Sequence, residues 1–548
     1  MKRNKLWSVL AVSALIGTLA ACGNEADSSG SSGSGDGGDS GDGGTATGAP
    51  WILGTTDAVT SIDPAGSYDF GSWNIQYNIF QQLMTVPANG SDPEPDLAKS
   101  CDYDDPQTIT CTLPEGATFS NGDELTSSDV LFSFQRNIEI ADPNGSSVLL
   151  GSISNGDTDN PALADGAIET PDDTTVVFHL NQPDQTFMQI LTSGTSSIVD
   201  EDTFPIDDKL ADDDIENMVG SGPYKLSQYK AGEQAVFEAN ETYQGTKTPQ
   251  SQQVFVQYFS DPAPLKTAVE GGDVDIAWRT LSPTDLNSIE EGGKAEVVRG
   301  KGSEFRYWVW QLSTEVGKNK AIRQAVAQII DRQAISDNAY DGTVAPSYSI
   351  VPPGFGGQKD SFMDKYGEPD VDAAKQILDA AGVKTPVSIK LGYPPEHYGP
   401  NTVDEATELA DQLNTSGLFD ATTDDAAWEE YQTITKEGAY DLFILGWYPD
   451  FLDADNYLSP FIRDGGFFAN NYSNDEVNSL LDKEIGETDE NARNEEIGQL
   501  QDIVAEDVPL IPSWNGQNVA VANSSMTGVE DTLDPTYIFR FWMISKEG

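Results

Sequence analysis

The chain predicts an α/β fold arranged in two or three lobes. Its 548 residues exceed one ordinary domain. Extended apolar runs, FRYWVWQL, YDLFILGW and VPLIPSW, alternate with stretches of helical periodicity. That mixture builds layers of helices against sheets. The 38% hydrophobic content is enough for a large core.

Taken in order, the chain opens on a basic start, Met1 to Lys5, followed by an apolar run from Leu6 to Leu19. The run is shorter than the roughly 20 residues that span a bilayer, so it reads as a signal segment over 1–21 rather than a membrane helix. It closes on Leu19-Ala20-Ala21-Cys22, which resembles the bacterial lipobox. That resemblance implies a lipidated Cys22 and a protein held on the extracellular face of the cytoplasmic membrane. Residues 23–50 are almost entirely Gly, Ser, Asp, Thr and Ala. With Cys22 they read as a disordered tether, roughly 30 Å in r.m.s. span.

The folded body starts near Trp51. In KSCDYDDPQTITCTL, a turn centred on Pro106 places Cys101 and Cys111 opposite each other on a hairpin, within reach of a disulfide. Thr126 or Ser127 caps a helix starting near Asp129. Within 319–335, Ile322, Ala325, Val326, Ile329 and Ile330 form a core-facing helical stripe. Residues 370–382 form another helix, with Gly382 at its C-terminal end. Ser473 to Glu476 reads as a capping box opening a third.

The chemistry that is missing narrows the function. The formal net charge is −60, from 90 acidic against 30 basic residues. Nucleic acid is thereby excluded as a partner, because phosphate binding needs dense Lys and Arg. The only histidines, His179 and His397, form no zinc-protease motif, and no nucleophile elbow or phosphate loop is present. With Cys22, Cys101 and Cys111 accounted for, no thiolate metal site remains. No cofactor or metal is expected, and a binding protein is favoured over an enzyme.

Residues 96–136, DLAKSCDYDDPQTITCTLPEGATFSNGDELTSSDVLFSFQR, closely resemble the signature of the family 5 extracellular solute-binding proteins. These are oligopeptide and dipeptide receptors of ABC importers. Further blocks agree in the family's order: Ser61-Ile62-Asp63-Pro64, GSGPYKLSQYKAGEQAVFEANETYQG, LKTAVEGGDVDIAW and NKAIRQAVAQIIDRQAI. The resemblance covers 51–548. It implies a two-lobed, periplasmic-binding-protein-like (type II) fold with hinge strands and an extra subdomain inserted in the first lobe. Lobe I would comprise 51–84, 216–301 and 515–548, the inserted subdomain 85–215, and lobe II 302–514.

The segment YDLFILGWYPDFLDADNYL is similar to the G-W-x-x-D stretch of oligopeptide receptors. The likeness implies that Asp450 pairs with a peptide's α-amino group, while Trp447 and Tyr448 line a side-chain pocket. A carboxylate among Trp, Tyr and Phe is poorly solvated and favours a cationic partner. Asp453 could do the same by a short register shift. In SYDFGSW, the candidates from lobe I are Tyr68, Phe70 and Trp73. Trp308 and Trp310 share one face of FRYWVWQL, and Trp308 is the candidate for the cleft. A ligand carboxylate would want a basic residue, and Arg279, Arg299 and Arg306 remain open alternatives.

The expected protein is therefore a monomeric, lipid-anchored receptor that captures an oligopeptide and passes it to ABC permease subunits. Two alternatives stay open: an oligosaccharide receptor of the same fold, and a secreted glycoside hydrolase.

Overall fold

The structure is a computed structural model and describes residues 48–399 and 401–547. Cys22, the signal segment and the tether up to residue 47 lie outside the described residues. Among those described, no helix is long and apolar enough to cross a membrane.

Three sheets organise the chain. A seven-stranded sheet has the spatial order Glu296–Gly300, Asn518–Ala522, Ile276–Trp278, Trp51–Thr55, Gln253–Tyr258, Gln234–Ala239, Tyr224–Lys230. Its centre is parallel, with Trp51–Thr55 between Gln253–Tyr258 and Ile276–Trp278. A four-stranded antiparallel sheet comes from 100–179. Here Ser100–Asp105 pairs with Thr108–Thr112, Cys101 lies directly opposite Cys111, and the two are joined as a disulfide. The helix Ser127–Ile140 packs on this sheet. It opens with a capping box of Thr126 and Asp129, and Phe134 meets Phe178 edge-on.

The six-stranded sheet has the order Ala345–Pro346, Leu510–Asn515, Phe305–Trp310, Leu442–Trp447, Val387–Tyr393, Phe419–Asp425. All six residues of Phe305–Trp310 are buried, so this strand is covered on both faces. Trp308 is therefore no cleft residue. It is 0% exposed, and its indole N–H donates to Glu405 in the core (3.1 Å). Trp310 is equally buried. The predicted helical stripe over 319–335 is split into Lys320–Ile329 and Arg332–Tyr340. Asp331 causes the break: its carboxylate caps the second helix at the Ala334 N–H, and Ile330 leaves helical geometry. The helix Asp475–Glu484 is capped by Asn474, one residue later than the capping-box pattern places it.

One buried ion pair links the helix on the four-stranded sheet to the segment that follows strand Trp51–Thr55. Arg136, on the helix Ser127–Ile140, holds both carboxylate oxygens of Asp63 (2.8 and 2.6 Å). The backbone N–H groups of Ala65 and Leu210 complete the shell. This gives Asp63 of the Ser61-Ile62-Asp63-Pro64 block a structural task.

The chain passes from the seven-stranded to the six-stranded sheet through 301–304 and returns through 516–517. These two connections touch. Gly516 N–H donates to the Glu304 carbonyl (3.0 Å). A Cβ on Gly302 would sit 2.4 Å from the Gly516 carbonyl oxygen, so the approach requires glycine.

Candidate functional site

A cavity of about 930 Å³ lies where the three regions meet. Tyr68, Phe70 and Trp73 come from the segment at the start of the helix Phe70–Ile79. Asp69 caps that helix by accepting from the Ser72 N–H (2.8 Å), which fixes where these rings emerge. Leu149, Ser152 and Asp184 come from the region of the four-stranded sheet. The opposite wall is Trp447 to Phe451, with Asn456 and Phe467.

Strand Leu442–Trp447 delivers Trp447 to the cavity, and the chain then turns through Tyr448-Pro449-Asp450. Asn456 organises the turn. Its side-chain oxygen accepts from Trp447 Nε1 (2.9 Å) and from the Asp450 N–H (3.0 Å), and its Nδ2 donates to Asp450 Oδ2 (2.9 Å). Tyr68, 5.7 Å from Trp73 between ring centres, supplies a second hydrogen bond to Asp450 from the opposite wall. Burial raises the Asp450 carboxyl to about 6, and the bonds from Asn456 and Tyr68 only partly offset that cost. The side chain stays partly open to the cavity, and among the described residues no cation pairs with it. 

Tyr448 lies further in. Its ring meets Phe70 edge-on at 5.1 Å and Tyr537 at 5.0 Å. Arg279 sits over both Phe70 (4.7 Å) and Tyr448 (5.1 Å) while its guanidinium is held by Asp57 (2.6 and 3.0 Å).

The structure thus brings together Tyr68, Phe70, Trp73, Trp447, Tyr448 and Asp450. It does not bring Asp453, whose carboxylate binds Arg493 through two hydrogen bonds (2.8 and 2.7 Å) and caps the turn at Ala454–Tyr457. Only Phe451 and Leu452 separate it from Asp450, yet Asp453 does not line the cavity. Of the three arginines, Arg299 pairs with Glu290 on the surface, Arg279 with Asp57, and Arg306 with Glu304. His397 stacks on Trp428 at 3.6 Å, and burial together with Arg306 lowers it to about 4. It does not line the cavity. Asn456, Asp184 and Leu149 were not singled out by sequence. For Asn456 the signal was present, in the DADNYL turn directly after the aromatic loop.

Comparison with known proteins agrees with this architecture. The probable D,D-dipeptide-binding periplasmic protein DdpA of Escherichia coli is 27% identical, over 87% of this chain and 90% of its own. The oligopeptide-binding protein OppA of Bacillus subtilis is 24% identical, over 86% and 88%. The crystal structure of Haemophilus influenzae OppA in complex with the peptide RPPGFSPFR superposes with a TM-score of 0.73 at 21% identity, covering 91% of this chain and 99% of that one. The fold is that of the type II periplasmic binding proteins. The family model for bacterial extracellular solute-binding proteins, family 5, matches residues 92–468, and the chain belongs to that family.

Proposed function

We propose that the protein is the receptor of an ABC importer for peptides with a free amino terminus, anchored through Cys22 outside the cytoplasmic membrane. The observation that carries the reading is Asp450, a desolvated carboxylate with neutral hydrogen-bond partners in a cavity walled by aromatic rings. A ligand ammonium is the partner it lacks. Trp447 and Tyr448 would flank the first side chain, with Tyr68, Phe70 and Trp73 closing over it. The names of the relatives above, all peptide binders, support the same class of ligand.

The domain division proposed is lobe I over 51–84, 216–301 and 515–548, an inserted subdomain over 85–215, and lobe II over 302–514. The three sheets and the paired connections at 301–304 and 516–517 support it. Lobe closure about those connections would enclose the ligand, with no chemistry performed on it.

Thermal denaturation with panels of peptides and oligosaccharides tests the reading, since a ligand of the native state raises the melting temperature. Stabilisation by sugars and by no peptide would refute it. Asp450→Ala should weaken free-amine peptides far more than their N-acetylated forms, and an equal loss for both would remove Asp450 from this role.

A further inference from the structure

The charges on the cavity walls restrict what can occupy it. Asp69, Asp184, Asp450 and Asp455 line the cavity, and among the described lining residues none is Lys, Arg or His. Three of the four carboxylates have local tasks. Asp69 caps its helix. Asp184 accepts from Ser152 Oγ (2.5 Å) and Thr186 Oγ1 (2.6 Å). Asp455 accepts from Ser459 Oγ (2.5 Å).

Two arginines behind the walls are committed as well. Arg493 holds Asp453 and Glu484, and Arg279 holds Asp57. Arg306 donates to Glu304 Oε1 (2.8 Å) through one nitrogen only; its Nε and Nη1 have no hydrogen-bond partner among the described residues, but the guanidinium lies 4.0 Å from the Tyr398 ring and does not line the cavity. A ligand carboxylate placed in the cavity would lose its hydration, meet no counter-charge and face four acidic side chains.

The mouth of the cavity has the opposite character. Val148, Phe467 and Tyr68 are 73%, 47% and 38% exposed, and all three line this cavity. They are three of the five large hydrophobic side chains on the described surface. Clustered exposed apolar groups of this kind mark a contact surface.

We infer that the cavity receives only the amino-terminal end of a peptide with bulky apolar side chains, and that the peptide's carboxyl end leaves over the rim formed by Val148 and Phe467. The inference rests on the assignment of Asp450 to the ligand amine made above. It defines the substrate class: longer peptides, or short ones whose carboxyl terminus is neutral.

Calorimetric titration of the purified full-length protein separates the two claims. The probes are Phe-Leu-Phe as the free acid, Phe-Leu-Phe amide, N-acetyl-Phe-Leu-Phe amide, and Phe-Leu-Phe extended by five Gly and Ser residues as the free acid. The amide should bind about tenfold tighter than the short acid, equivalent to about 1.4 kcal/mol, and the extended acid should match the amide. A short acid that binds as tightly as the amide, or tighter, overturns the inference. If that advantage is lost in Arg306→Gln, the carboxylate is received at Arg306 instead. N-acetyl amide binding equal to the free-amine amide refutes the Asp450 assignment, whatever the acid and amide pair does. Failure of every probe to bind refutes both.

Discussion

Replacing Asp450 by Asn should stabilise the ligand-free protein while abolishing capture of amines. The native carboxyl titrates at about 6 against an ordinary 3.8. Because the folded value is the higher one, the native state holds its proton where the unfolded chain has released it. Stability from this group therefore falls as pH rises from about 4 to about 6, and the full penalty is present above that. At about 1.36 kcal/mol per pH unit the penalty is at most about 3 kcal/mol. Solvent reaching the carboxylate from the cavity reduces it to about 1–2 kcal/mol. Asn keeps the shape and can still accept from Asn456 Nδ2, but carries no charge. Melting curves of both proteins from pH 4 to pH 8 are the assay. The curves should coincide near pH 4, and the variant should melt higher by roughly 1–4 °C at pH 8. Free-amine peptides should then raise the melting temperature of the wild type only. A variant less stable than wild type at pH 8, or a gap that does not change with pH, would refute the desolvated-carboxylate argument.

Other consequences are equally measurable. Peptide affinity should fall about tenfold per pH unit below about 6, as Asp450 becomes protonated, and in Tyr68→Phe the decline should begin at higher pH because a bond to the ionised form is lost. Titrations across pH 4.5–8 would show it. Asp63→Ala strands Arg136 in a buried site and should cost about 3–5 kcal/mol in urea denaturation. Glu405 accepts from Trp308 Nε1, Trp514 Nε1, Tyr340 OH and Ser513 Oγ with its own side chain fully buried. Glu405→Ala leaves four buried donors without that acceptor and should cost at least about 4 kcal/mol, read from the same denaturation curves.

The parts of the molecule that follow local rules were legible in the sequence. The hairpin that opposes Cys101 and Cys111, the Thr126 cap and the strand ending at Trp447 each depend on residues close in sequence, and each occurs in the structure. Asp450 could be picked out because its aromatic neighbours are adjacent in the chain. Trp308 could not be placed by alternation, since alternation separates inside from outside only when one face of a sheet meets water. In Phe305–Trp310 both faces are covered. Asp453 required knowledge of Arg493, forty residues away on another helix. Val148 and Leu149 lie in a short irregular helix, Ser147–Ile153, with no periodicity to read.

In the lobe closure proposed above, the touching connections at Gly302 and Gly516 would serve as the axle. Tyr537 is fastened to that axle, its hydroxyl accepting from the Glu304 N–H, and Phe70 and Tyr448 pack against its ring. Atoms next to an axle travel least, so under that closure this aromatic group would act as a fixed pivot while the outer walls swing. The angle of closure would then report what is held between the walls, and a membrane partner would need to sense only that angle.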